Sequence, residues 1–150
     1  KLVVEEMKTK PKSGNIVTED GEILGKHTGL FNYTIGQRKG LGIAYKHPLY
    51  VIGFNGERNE VIVGPNERLF TNRMICKFYN FLDDTIHKEL KAEGKIRYAA
   101  NPSPCTARIL DDDTMEVIFD EPQRAITPGQ SVAFYNGTQL LGGAVIDRVC

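Results

Sequence analysis

The chain has 150 residues, and its 19 Lys plus Arg are matched by 19 Asp plus Glu, so its formal net charge is zero at pH 7. That length suits one ordinary domain or two small ones, and the charge balance excludes a bulk polyanion binder, so any nucleic-acid surface has to be a local patch. Three cysteines, Cys76, Cys105 and Cys150, have no C-x-x-C spacing, which argues against a disulfide framework and suits a reducing, cytoplasmic compartment; no apolar run reaches the ~18 residues of a membrane span.

In chain order, residues 1–13 are charged and weakly patterned and read as a leader or linker. Asn15–Thr18 and Glu22–Gly25 form a hairpin around Asp20-Gly21, a pair that supports positive φ. Phe31–Ile35 is a further strand or a tight approach. Leu49–Phe54 is a strand, Asn55–Asn59 turns it, and Glu60–Gly64 returns. Together these give a small, mostly antiparallel β domain over residues 14–68.

A second β unit follows over residues 69–150. Its expected strands are Arg73–Phe78, Lys91–Ala99 centred on Ile96, Cys105–Leu110, Met115–Phe119, Ser131–Tyr135 and Leu140–Val149. Asp120-Glu121-Pro122 is read as the end of one hairpin, and Asn136-Gly137 is the strongest hairpin signal in the chain. Five to six short strands in about 75 residues suggest a small closed barrel. The fold class is therefore all-β: a small antiparallel β domain followed by a six-stranded β-barrel.

The densest chemistry lies in Tyr33–Gly42, where three glycines, Gln37, Arg38 and Lys39 share ten residues. Glycines let a backbone approach a partner closely, and Arg and Lys supply donors to an anion. The run is either a phosphate or carboxylate contact or a glycine-rich turn with two solvated cations, and it is not a P-loop. Gln37 either reads a base edge or caps a turn. His27, between Gly25 and Gly29, reads first as a hydrogen-bonded structural residue and second as a base or phosphate donor. Arg97-Tyr98 is either a contact for phosphate and a splayed base or a strand-end pair. Gln130, after Pro128-Gly129, is either a base contact or an exposed turn amide. The three histidines and three cysteines fit no zinc spacing, Asp111-Asp112-Asp113 lacks the EF-hand pattern, and no nucleophile with a partner base is legible, so no catalytic and no metal residue is assigned.

Taken together, several motifs resemble the C-terminal part of the bacterial tRNA-specific 2-thiouridylase (MnmA/TrmU) family. They are Gly25-Lys26-His27-Thr28-Gly29-Leu30, Tyr33–Ile43, Lys95-Ile96-Arg97-Tyr98, Pro104-Cys105, Val117–Pro122, Thr127-Pro128-Gly129-Gln130, Phe134-Tyr135 and Leu141-Gly142-Gly143. The resemblance implies a central β domain and a barrel similar to domain 2 of translation elongation factors. It implies a parent enzyme that uses ATP and Mg to adenylate the wobble uridine of certain tRNAs and then replaces the 2-oxygen with persulfide sulfur. The family's Ser-Gly-Gly-x-Asp-Ser loop and two catalytic cysteines match nothing in this sequence, so the chain is expected to be a piece of that enzyme, without its N-terminal ATP-pyrophosphatase domain, inactive alone and needing no cofactor itself. By resemblance, Arg97, Tyr98 and Gln130 contact the tRNA near its anticodon, while Gln37, Arg38, Lys39 and His27 contact tRNA or position a domain. The persulfide donor protein is a partner of the parent enzyme. The alternative is a protein-interaction barrel that docks this donor, since fold does not fix function. Ala144 stands where the family pattern carries another glycine, which suggests a slightly altered strand turn.

Overall fold

The computed structural model describes residues 12–82, 88–97 and 100–150. It forms two compact units with the boundary between Leu69 and Phe70, and the described residues contain strands and short 3-10 turns but no α-helix.

In the first unit, β1 (Gly14–Thr18) and β2 (Ile23–His27) form the expected hairpin, and β3 (Tyr50–Asn55) pairs antiparallel with β4 (Glu60–Gly64). The Asp20-Gly21 turn closes through the Gly21 amide, which donates to the Thr18 carbonyl at 3.0 Å, with Gly21 at φ +90°. The sheet order is β2-β1-β4-β3. The sheet is mostly antiparallel, as expected, with one parallel pairing: β1 and β4 run parallel, Asn15 opposite Glu60 and Thr18 opposite Val63. The long connection from β2 to β3 makes this possible, because a parallel neighbour needs a crossover rather than a tight turn. Phe31–Ile35 is not a strand; Leu30–Asn32 is a 3-10 turn, fastened by the Asn32 side chain, whose Nδ2 donates to Thr28 Oγ1 at 3.0 Å. Ile16, Val51, Val61 and Val63 bury on one side of the sheet, and Leu41 and Leu49 from the crossover pack onto them.

The second unit is a closed barrel of β5 (Phe70–Phe81), β6 (Glu89–Lys95), β7 (Ser103–Ile109), β8 (Thr114–Arg124), β9 (Ser131–Asn136) and β10 (Gln139–Val149). Its order is β10-β5-β8-β7-β6-β9, with β9 pairing back onto β10, and every pairing is antiparallel. Side chains alternate across a strand. Met74 and Cys76, Cys105 and Ala107, Met115, Val117 and Phe119, Val132 and Phe134, and Ala144 and Ile146 therefore all enter one core. Burying each phenylalanine contributes roughly 1.5–3 kcal/mol. Gly94 makes room for Phe119, since a Cβ there would lie 3.0 Å from its ring.

Three local expectations change. β6 ends at Lys95, and Ile96 follows it as a buried plug rather than lying at a strand centre. β8 continues past Pro122 to Arg124; its register against β5 jumps from Ile118 opposite Arg73 to Gln123 opposite Thr71, and that irregularity accommodates a proline with no amide to donate. Ala144 lies inside β10, where its methyl group is buried in the core and its neighbours shift register against β5, so it belongs to a strand interior rather than a turn. The Asn136-Gly137 hairpin is as expected, with Gly137 at φ +63° and Asn136 opposite Gln139.

Candidate nucleic-acid interface

In the barrel, Arg97 and Gln130 are linked at the connection from β8 to β9. Arg97 follows Ile96, and the burial of Ile96 fixes where the exposed arginine emerges. Its Nη2 donates to the carbonyls of Arg124 at 2.8 Å and Ala125 at 2.7 Å. Ala125 has φ +58°, a left-handed conformation that L-residues with a Cβ adopt only when something holds them there. The Thr127 hydroxyl donates to the same Ala125 carbonyl at 2.9 Å. The Gln130 amide then donates to the Thr127 carbonyl at 3.2 Å, and the Gln130 carbonyl accepts from Ile146 at 2.8 Å. One bonded network thus joins Arg97 to Gln130, and both side chains are exposed. The guanidinium carries five N–H donors, and among the described residues only Nη2 is engaged, which leaves the rest of the fork for an outside acceptor. Tyr98 lies outside the described residues.

In the first unit the glycine-rich run is a shaped loop. The Gly36 amide donates to the Val51 carbonyl at 2.8 Å, and the Val51 amide donates to the Gln37 carbonyl at 2.9 Å, so the loop is tied to β3. The Gln37 side chain works inside the loop: its Oε1 accepts from the Thr34 amide at 3.0 Å and its Nε2 donates to the Lys39 carbonyl at 2.9 Å. That is the turn-capping alternative. The side chains of Arg38 and Lys39 are exposed and make no hydrogen bond or ion pair among the described residues. Gly40 and Gly42 have φ +79° and +68°.

His27 is only 1% exposed. Its Nε2 donates to the Asn59 carbonyl at 2.7 Å and its Nδ1 accepts from the Gly29 amide at 3.0 Å, an arrangement that assigns the neutral Nε2–H tautomer. The ring therefore braces the sheet and is out of reach of a ligand. Gly14 passes against it; a Cβ there would collide with the Asn59 carbonyl and with Nε2.

Sequence reasoning passed over the far side of the loop. Residues 38–49 enclose an open groove of about 770 Å³, lined by Arg38, Tyr45, Lys46 and His47 among others. Lys46 Nζ lies 5.9 Å from the Tyr45 ring centroid, and the His47 ring packs edge-on against Tyr45 at 5.0 Å. A signal was available: from Ile23 to Gly56 there is no Asp or Glu, while Lys26, Arg38, Lys39 and Lys46 all fall in that stretch.

The remaining reactive groups are accounted for by packing. Burial pushes the thiols of Cys76 and Cys105 up to about 12, which keeps them protonated and poor nucleophiles. The Glu116 carboxylate is buried on the barrel, where it accepts from Arg73 Nε at 2.6 Å and Arg108 Nη2 at 2.7 Å. Asp111 shapes its turn by accepting from the amides of Asp113 and Thr114, both at 2.9 Å. Among the described residues no group of three His, Cys, Asp or Glu is arranged to hold a metal ion, and no helix is long and apolar enough to cross a membrane.

Residues 3–65 match the tRNA methyl transferase PRC-barrel domain, and residues 71–146 match the aminomethyltransferase beta-barrel domain. The chain is 46% identical over 142 residues to the tRNA-specific 2-thiouridylase MnmA of Clostridioides difficile (strain 630), covering 94% of this chain and 39% of that protein. It is 48% identical over 139 residues to the protein of the same name from Clostridium botulinum (strain Alaska E43 / Type E3), covering 92% and 38%. With MnmA 1 of Clostridium tetani (strain Massachusetts / E88) the identity is 46% over 150 residues, covering 99% and 41%. The chain belongs to the tRNA-specific 2-thiouridylase family, and it spans about two fifths of the length of these curated relatives.

Proposed function

We propose that this chain is the tRNA-recognition and positioning part of an ATP-dependent, cytoplasmic tRNA 2-thiouridylase that thiolates the wobble uridine at position 2. The observation that carries the reading is the bonded network from Arg97 through Ala125 and Thr127 to Gln130, which links an exposed cation after β6 to an exposed amide on the β8–β9 connection. An arginine fork suits a phosphate and an amide suits a base edge or ribose. The relatives' names supply the substrate class. In this reading Tyr98, beside Arg97, offers a ring on which a splayed base stacks. ATP, Mg and the persulfide donor act on the parts of the enzyme that carry its chemistry, and the barrel and small sheet hold the tRNA while its uridine is presented there.

A largely neutral chain with local cations binds RNA with modest, salt-sensitive affinity, on the order of micromolar or weaker. Titration of the chain with an unmodified tRNA transcript at two salt concentrations tests this. Binding that weakens with salt, and weakens again in Arg97→Ala and Gln130→Ala, supports the proposal; no binding at low salt refutes it. If those variants keep tRNA but lose a persulfide donor protein, the barrel is a protein-docking module instead.

A further inference from the structure

We infer that the groove enclosed by residues 38–49 is a second RNA site, in which Arg38 and Lys46 pair with backbone phosphates and the Tyr45 ring stacks on one base. This deepens the function proposed above and rests on it. Four observations converge. The crossover from His27 to Tyr50 contains one short 3-10 turn and no strand, and long irregular loops inside compact domains usually serve a function. The loop is nonetheless held in one shape: Gln37 staples it internally, Gly36 and Gln37 tie it to Val51, and Leu41 and Leu49 are buried under it. A groove of about 770 Å³ lies within the range of ligand sites, roughly 300–1,000 Å³. Its walls combine an arginine with no partner among the described residues, a lysine whose nearest recorded partner is a ring face, and a tyrosine that is 38% exposed.

The occupant follows from charge and shape. The stretch Ile23–Gly56 contains four cations and no acid, inside a chain of zero net charge. Gly40 and Gly42 place bare backbone at the groove wall, and a Cβ at Gly42 would meet nothing within 4 Å, so the wall leaves room for close approach. A smaller cleft shares the Tyr45 and His47 side chains but is lined by the acids Asp20 and Glu22, beside Glu19, whose carboxylate is paired with Arg68. A polyanion is therefore drawn to the Arg38–Lys46 side and repelled from the other, which gives it one track. Cations interleaved with an exposed aromatic ring are the arrangement that holds single-stranded nucleic acid, phosphates on the cations and bases on the ring. An acidic peptide would satisfy the cations but has no use for the ring.

The test is binding of the chain to an unmodified tRNA transcript over a range of salt. The variants are Arg38→Gln/Lys46→Gln, Tyr45→Ala, the off-groove control Lys26→Gln, and Arg97→Ala, with thermal melting as a check that each one folds. The double variant should weaken binding about tenfold and flatten the slope of log affinity against log salt by roughly 1.4–1.8, the loss expected for two phosphate contacts. Tyr45→Ala should weaken binding about fivefold or more with the slope unchanged, and Lys26→Gln should bind as the parent does. If Arg97→Ala weakens binding while the groove variants do not, the tRNA-holding function stands and this groove is not part of it. If the parent chain binds no tRNA, both readings fall. Loss of poly-glutamate binding in the double variant, with tRNA binding intact, would make the groove a site for an acidic protein and overturn the inference.

Discussion

Arg97 holds Ala125 in a left-handed backbone conformation: its Nη2 donates to the Ala125 carbonyl at 2.7 Å, and Ala125 has φ +58°. A residue with a Cβ costs on the order of 1–2 kcal/mol in that region, so the guanidinium and the Thr127 hydroxyl on the same carbonyl offset a standing strain. Arg97 therefore shapes the β8–β9 connection from its place after β6 while staying exposed itself.

This dual role separates Arg97 from its neighbour. Arg97→Ala should lower stability by about 1 kcal/mol, the net worth of an ordinary hydrogen bond, and should speed hydrogen exchange at the Gly129 and Gln130 amides. Gln130→Ala should leave stability and exchange unchanged, because its recorded bonds are made by its backbone, and should weaken tRNA binding alone. Equal loss of stability in both variants would contradict this division.

The buried carboxylate of Glu116 makes barrel stability depend on pH. Hydrogen bonds from Arg73 and then Arg108 hold its carboxyl below the usual range, against the opposing effect of burial. A carboxyl whose folded value is depressed contributes stability above its unfolded value, near 4.3, and that contribution is lost as pH falls through the folded value. Glu116→Gln should therefore have a lower urea midpoint than the parent at pH 7, with the gap closing below about pH 4. A gap that stays constant from pH 7 to pH 3 would show that the charge plays no part.

Cys76 and Cys105 are buried and their thiols are pushed up to about 12, while Cys150 is exposed. Alkylation of the folded chain at pH 8 should label Cys150 alone, and the other two should react only after denaturation. Rapid native labelling of Cys105 would reopen the question of a reactive thiol.

Gly14 runs against the buried His27 and the Asn59 carbonyl. Gly14→Ala should destabilise the first unit by about 1–3 kcal/mol through overpacking, with the barrel unaffected by exchange measurements. No change in stability would mean that the β1 backbone shifts easily at this point.

Local chemistry made much of this fold legible. Asn136-Gly137 announces its hairpin because the turn needs positive φ, and Met115, Val117 and Phe119 announce a strand because alternate side chains enter one core. The parallel pairing of β1 with β4 leaves no such trace, since Asn15 and Glu60 are joined by register across a long crossover. The left-handed Ala125 is equally silent in sequence, being imposed by a distant guanidinium. At the candidate sites, residue patterns left Gln37 open between a base reader and a turn cap, and its two bonds to loop backbone supply the second role. His27 followed its structural reading because a glycine amide and a carbonyl engage both ring nitrogens. Tyr45 and Lys46 carry no motif of their own, and only the folding of the crossover brings them to the groove that Arg38 also lines.

Amide hydrogen exchange of the chain with and without an unmodified tRNA transcript tests the central claim most directly. The account predicts protection concentrated in residues 124–130 and diminished in Arg97→Ala. A bound tRNA that leaves that connection unprotected would contradict it.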